Sequence, residues 1–223
     1  MTLVQAAAVA GVPLAVNHGR RWDRAHRHAA DWIRREDIGR VRHVSIRYVR
    51  GIANYGSHAF DLVRMLTGDE VAWVWATDDL HEADPDPSLT VVARLEGGAG
   101  VTLCGCPRQA YDLFEVDVFG DAGRVTIGDM GRSISVLRPA PGRDPGETVL
   151  APDGAARFEE GLRGMALAAV TNLIAAVRDG APLLSTAADG LAAMAAIEAA
   201  RRSAALGRPV PLQDLTAAVP AAR

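Results

Sequence analysis

The stretch Gly51-Ile52-Ala53-Asn54-Tyr55-Gly56-Ser57-His58-Ala59-Phe60-Asp61-Leu62 joins two segments of different periodicity. Before it, Val44-Ser45-Ile46-Arg47-Tyr48-Val49 alternates apolar and polar residues, as a strand with one buried face does. After it, Phe60-Asp61-Leu62-Val63-Arg64-Met65-Leu66 keeps a helical apolar period that stops at Gly68. A glycine-rich strand-to-helix corner lets backbone come close to a ligand, and a helix N-terminus favours anionic or hydroxyl partners. Asn54 and His58 are four residues apart and Asp61 three further on, so a helical turn would place Asn54 and His58 on one face.

Upstream, Thr2 to Ala10 reads as a short Ala-rich helix ended by Gly11, and Val12 to Val16 as a compact apolar run of strand length. Trp22 to Arg35 has an amphipathic helical pattern, with Trp22, Ala25, Ala29, Trp32 and Ile33 on its apolar side. Gly39 then turns the chain into the strand Val41 to Val49. Downstream, strands are expected at Val71–Ala76, Leu89–Leu95, Gly100–Cys104, Leu113–Phe119, Arg124–Ile127 and Ser133–Leu137. Glu96-Gly97-Gly98-Ala99 and Gly120-Asp121-Ala122-Gly123 are hairpin signals between them, and Asp78 to Pro87 is a polar loop. The proline- and glycine-rich run Pro139 to Asp153 reads as an exposed loop. Two Ala-rich helices close the chain, Glu159–Asp179 and one from Thr186 to Leu206, with Thr186 as N-cap and Asp189 at its third position. A meander of strands with helices to one side is an α+β layer.

With 223 residues, 49% apolar and 23% charged, the composition is that of an ordinary soluble globular chain. A net charge of −3 gives no footprint for nucleic acid or an anionic membrane. The arginines of the N-terminal third (Arg20, Arg21, Arg24, Arg27, Arg34, Arg35, Arg40, Arg42) read as a solvated helix face in preference to a binding patch. Cys104 and Cys106 are two apart on a strand, where a mutual disulfide would strain the backbone, and no further metal ligand is near in sequence. They read as buried reduced thiols, and with no secretory signal or membrane-spanning run visible the expected location is cytoplasmic. The remaining histidines have no metal-like spacing, and Trp73 with Trp75 on one strand face suggests core or subunit packing.

Four stretches carry a likeness to a known family. These are Val12 to Trp22, Ile38-Gly39-Arg40-Val41, the corner Gly56-Ser57-His58 with Asp61-Leu62, and Phe119-Gly120-Asp121-Ala122-Gly123-Arg124 with the tail from Asp189-Gly190-Leu191 to Pro209-Val210. Together they resemble the Gfo/Idh/MocA oxidoreductases, over most of the second domain and the last helix and strand of the first. The resemblance implies a large open, mostly antiparallel sheet with helices packed on one face. It also implies a division into residues 1–21, a remnant of a Rossmann dinucleotide-binding domain, and residues 22–223, the C-terminal domain. Such enzymes use NAD or NADP on a hydroxyl of a sugar, inositol or polyol, with a histidine beside the transferred hydride. His58 matches that histidine, and Asn54 falls where many members have aspartate. An amide takes no proton, so acid/base work falls to His58, and Asn54 orients a hydroxyl or serves only as a turn residue. Tyr55, Asp61, Arg21 and Trp22 are the candidate substrate contacts. Their structural alternatives are lining for Tyr55, bracing for Asp61, and anchorage of the domain junction for Arg20, Arg21 and Trp22.

The family's Gly-x-Gly-x-x-Gly after a strand has no counterpart in these residues, nor has its Glu-Lys-Pro lysine. The expectation is therefore a substrate-binding and homo-oligomerising half, paired through its sheet face, that does not bind NAD or NADP alone. The cofactor domain would come from another chain or from a longer native start than Met1. Two alternatives stand beside it: a cofactor-independent lyase, isomerase or hydrolase using His58, and a non-enzymatic dimeric binding or scaffold protein.

Overall fold

The computed structural model describes residues 3–81, 84–107 and 111–216 of the chain. Thr2 of the first expected helix and residues 82–83 of the polar loop lie outside them. Six α-helices are described: α1 (Leu3–Ala10), α2 (Arg24–Arg34), α3 (Gly56–Thr67), α4 (Met165–Asp179), α5 (Ala187–Leu206) and α6 (Gln213–Thr216). The strands are β1 (Val41–Tyr48), β2 (Val71–Thr77), β3 (Thr90–Leu95), β4 (Gly100–Gly105), β5 (Phe114–Gly120), β6 (Gly123–Gly128), β7 (Ser133–Pro141), β8 (Thr148–Phe158) and β9 (Val210–Pro211).

One open sheet takes the order β8-β7-β6-β5-β1-β4-β3-β2-β9. Its neighbours are antiparallel except for β1 beside β4, which run parallel in the register Val44↔Val101 and Ile46↔Leu103. The hairpins sit where glycine allows them. Gly98 takes φ +93 between β3 and β4, a value that favours glycine. The alternation of β1 buries Val44, Ile46 and Tyr48 under α3, whose Phe60, Val63 and Leu66 are fully buried in the same core. α5 brings Ala196, Ala199 and Ala200 to that core, and its small residues permit close approach. Ser203 accepts the Ala76 N–H of β2 at 2.9 Å and donates to the Arg208 carbonyl at 2.7 Å. The expected caps are present: Thr186 and Asp189 form a reciprocal capping box on α5, and Gly68 and Gly207 end α3 and α5 in the left-handed conformation.

Four expectations are corrected. Pro139 to Asp153 is not a loop, because β7 continues to Pro141 and β8 pairs with it from Pro141↔Thr148 to Leu137↔Pro152. Proline is tolerated there since β6 pairs with β7 only over 133–137, leaving the 139–141 extension bonded on one side. The helix expected from Glu159 begins at Met165, β8 having carried the chain to Phe158. Val12 to Val16 forms no strand; its sheet-like pairing is one isolated bridge, Ala15↔Thr186. Finally, Cys104 is exposed and Cys106 partly so, both free thiols: alternation places Cys104 on the outer face of β4.

That outer face is only partly covered. It carries the ion-pair run Arg47–Asp117–Arg124 and the exposed Trp75, 40% accessible, opposite Val92. No helix among the described residues is long and apolar enough to cross a membrane.

Candidate active-site corner

Backbone geometry builds the corner first. Arg50 leaves β1 in the left-handed conformation (φ 66, ψ 27), and Gly51 follows at φ +84. Gly51–Tyr55 is then a π-helical turn that runs straight into α3. Such single turns often mark functional sites, and, as at any helix start, the first four N–H groups have no acceptor within the helix. Here those donors are used internally. Gly51 N–H donates to Ser88 Oγ (3.0 Å), Ile52 N–H to the Pro87 carbonyl (2.9 Å), and the N–H groups of Ala53 and Asn54 to the Asp86 carboxylate (2.8 and 3.1 Å). Arg201 pairs with the same carboxylate at 3.0 Å. A Cβ on Gly51 would fall 2.2 Å from an Asp86 oxygen, so only glycine fits. The expectation of a glycine corner open to an anionic ligand is thereby corrected: Asp86 occupies it.

The side-chain chemistry lies on the other side of α3's first turns. Asp61 is 2% exposed and accepts both its bonds from Arg21 Nε, at 2.9 and 3.0 Å. Arg21 also reaches Asp189 at 2.9 Å, and Arg64 reaches the same carboxylate at 3.1 Å, so the cap of α5 and the body of α3 share one network. His18, 6% exposed, brings Nδ1 to 3.0 Å from Asp61 Oδ1. The distance is that of an ion pair, but Nδ1 lacks the alignment of a hydrogen bond and has no other partner. The His18 ring stands edge-on to His58, centroids 5.7 Å apart and planes at 74°. Arg20 lays its guanidinium 3.8 Å over the face of Phe114, whose ring meets Tyr55 edge-to-face at 5.9 Å.

These neighbours set the charge of His58. Burial first, then the positive charge of Arg20 and the adjacent His18, push its pKa down to about 4, against the pull of Asp61. At neutral pH the imidazole is therefore uncharged and able to accept a hydroxyl proton's hydrogen bond. Arg20 itself is pulled down to about 10, chiefly by burial, while Tyr55, Asp23 and Asp61 act in the opposite sense.

Of the residues singled out from sequence, Asp61 and Arg21 meet directly, His58 joins them through His18, and Tyr55 packs on the far side, against Phe114. Asp61 and Arg21 are engaged with each other, in a bracing role. Trp22 is buried and donates its indole N–H to Asn172 Oδ1 of α4 at 3.0 Å. Asn54 does not share His58's setting, because the π turn breaks the α-helical phase between them: Asn54 is exposed, while His58 is partly buried. His18 is the residue beside His58 that the sequence did not single out, and Arg20, read there chiefly as an anchor of the domain junction, lies over Phe114. Their signal was the polar run His18-Gly19-Arg20-Arg21 immediately before an amphipathic helix, although what they contact lies about forty residues away for His18 and over ninety for Arg20.

A nicotinamide dinucleotide needs a glycine turn with free N–H groups at a helix N-terminus to hold its pyrophosphate. The strand–glycine–helix junction at Gly51 has its N–H groups consumed by Asp86 and Ser88, so this junction does not fit the phosphates of such a cofactor. Among the described residues there is also no group of three or more His, Cys, Asp or Glu able to hold a metal ion.

Comparison with solved structures places the fold. An oxidoreductase from Agrobacterium radiobacter, crystallised with NAD+, L-tartaric acid and magnesium, superposes with a TM-score of 0.72 at 18% identity, covering 95% of this chain and 68% of that one. A putative myo-inositol dehydrogenase from Sinorhizobium meliloti gives 0.71 at 24%, covering 94% and 68%. A super-repressor mutant of Gal80p from Saccharomyces cerevisiae gives 0.75 at 13%, covering 96% and 68%. No curated protein matches the sequence. The profile of the oxidoreductase family's C-terminal alpha/beta domain matches residues 51–212, a span that contains the corner, the sheet from β2 to β9 and both long C-terminal helices. The chain belongs to the Gfo/Idh/MocA oxidoreductase family and carries its C-terminal α/β domain.

Proposed function

We propose that this chain is the substrate-binding half of an oxidoreductase that acts on a hydroxyl of a sugar, inositol or related polyol. In this reading residues 1–21 belong with a dinucleotide-binding domain, residues 22–223 form the substrate domain, and NAD or NADP is held by that other domain. The observation that carries it is the neutral, partly buried His58, edge-on to the His18 ring and within reach of the Arg20 charge: a hydrogen-bond acceptor for a hydroxyl. Asp61 and Arg21 brace this corner, Asp61 accepting from Arg21 and lying 3.0 Å from His18 Nδ1. Tyr55 lines it, and Asn54 is kept as a contact to a ligand approaching from solvent. Relatives in fold include a putative myo-inositol dehydrogenase and a protein holding L-tartaric acid with NAD+, so both neutral and acidic polyhydroxy compounds are in the range of ligands. Association of copies through the outer sheet face around Trp75 and Val92 completes the reading.

The test is calorimetric titration of the purified 223-residue chain with myo-inositol and D-glucitol, and separately with NADH, alongside His58→Gln. Polyol binding should weaken about tenfold or more in the variant, the scale of one lost hydrogen bond in a site built to use it. NADH should not bind either protein. Equal polyol affinity in His58→Gln would move the ligand away from this corner, and micromolar NADH binding would refute the need for a separate cofactor domain.

A further inference from the structure

The geometry points to a carboxylate-bearing ligand at this corner, a polyhydroxy acid anchored by Arg20 with a hydroxyl presented to His58; this rests on the reading of the corner as a hydroxyl-binding site. Arginine side chains that leave water are normally matched by carboxylates and hydrogen-bond acceptors, because an uncompensated charge in that setting is costly. The other arginines of this region obey that rule. Arg21 has Asp61 and Asp189, Arg64 has Glu70 and Asp189, and Arg34 donates to the Met65 carbonyl. Arg20 departs from it. Its Nε is buried without a hydrogen-bond partner, and among the described residues no carboxylate lies within ion-pair distance of its guanidinium. What lies against it is the face of Phe114, with the guanidinium carbon 3.8 Å from the ring centroid, a contact that leaves Nε without an acceptor. The nearest acids, Asp61 and Asp23, are committed elsewhere: Asp61 to Arg21, and Asp23 to the His26 N–H and imidazole and the Leu162 N–H.

The stoichiometry favours a carboxylate over a phosphate. Arg20 alone offers one positive charge and a planar set of donors, the match for a planar monoanion, and the carboxylates of Asp61 and Asp23 nearby disfavour a dianion. His58 meets the ring of His18, two residues before Arg20, with centroids 5.7 Å apart, so one small molecule can span from fork to imidazole.

D-Gluconate and D-glucitol form the test pair, differing at one carbon: carboxylate against hydroxymethyl. Each is titrated calorimetrically into the full chain, Arg20→Met, Arg20→Lys and Arg27→Ala. The last samples the open groove of about 530 Å³ lined by Arg21, Arg24, Arg27, His28 and Arg34, a competing place for an anion. Gluconate should bind the wild type at least about tenfold more tightly than glucitol, the range of a charge-assisted hydrogen bond. Arg20→Met should abolish the preference, Arg20→Lys should keep part of it, and Arg27→Ala should not change it. Arg20→Met should also melt at the same temperature as wild type or higher, since it removes a charge the fold does not pair; a clear fall would mark Arg20 as structural and overturn the assignment. Equal affinity for gluconate and glucitol, both dependent on His58, would overturn the carboxylate while leaving the hydroxyl site intact. A preference that survives Arg20→Met and disappears in Arg27→Ala would place the anion in the groove. Binding of neither compound would refute both readings together.

Discussion

α3 and α4 are both predominantly apolar helices, and the fold treats them in opposite ways. α3 buries Ala59, Phe60, Leu62, Val63, Met65 and Leu66 between the sheet and its neighbours. α4 has no buried residue at all. It faces the body with small or polar side chains, Ala168, Ala169, Asn172, Ala175 and Ala176, and shows Leu167, Val170, Ile174 and Val177 to solvent, Leu167 at 73%. Those four recur at i, i+3, i+7 and i+10, one stripe of a helix. α1 has no buried residue either, with Leu3 and Val9 exposed. Burial holds α3; a few polar contacts hold α4. Asn172 is their centre: its Oδ1 accepts from Trp22 Nε1 and the Leu184 N–H, both at 3.0 Å, and its Nδ2 donates to the Pro182 carbonyl at 2.9 Å. An apolar sequence is therefore not evidence of a core position, and a contiguous apolar stripe left outward is the mark of a surface meant to be covered.

The largest expected effect is on the α3 side. Phe60→Ala empties a fully enclosed aromatic site under β1 and should cost about 3–5 kcal/mol in urea unfolding. A loss below about 1 kcal/mol would mean that α3 can collapse onto the gap, and the contrast with α4 would weaken.

The same contrast explains what could be read from sequence. Local signals carried the elements: Gly97-Gly98 for a hairpin, Thr186 with Asp189 for a helix start, Gly68 and Gly207 for helix ends. His58 and Asp61, three apart on α3, were legible for the same reason. Arg20 over Phe114 and His18 beside Asp61 were not, because the contact depends on how the 310 turn Gly19–Trp22 docks on elements far along the chain. The strand Thr148–Phe158 was hidden by Pro152 and by the prolines that precede it, a local deterrent that a one-sided pairing at the sheet edge removes. The π turn was hidden as well, and the acceptor of its Ala53 and Asn54 N–H groups, Asp86, lies some thirty residues away.

An intermediate effect is expected at the tether. Asn172→Ala removes three partly exposed hydrogen bonds and should cost roughly 1–3 kcal/mol, less than their sum because water replaces some of them. The sharper readout is spatial. Amide hydrogen exchange should accelerate along Met165–Asp179 while α3 keeps its protection, since α4 would open without the core. Uniform acceleration in both helices would show that α4 belongs to the cooperative core after all.

The smallest effect on stability should come from the stripe itself. Leu167→Ser with Ile174→Ser changes two large apolar side chains that are 73% and 49% exposed, so little transfer free energy is lost on folding, and the unfolding free energy should move by no more than about 1 kcal/mol apart from the helix propensity of serine. Association should respond instead. If the stripe is covered by a cofactor-carrying domain, a separately expressed Rossmann domain of a family enzyme should be retained by the wild-type chain in analytical ultracentrifugation and released by the double variant, with Arg47→Ala on the outer sheet face leaving it bound. If copies of the chain cover each other there, the wild type should sediment as a dimer and the double variant as a monomer without any added domain. A monomeric wild type that retains no Rossmann domain would leave the stripe an exposed surface with no function in assembly, and α4 would then differ from α3 only in being poorly packed.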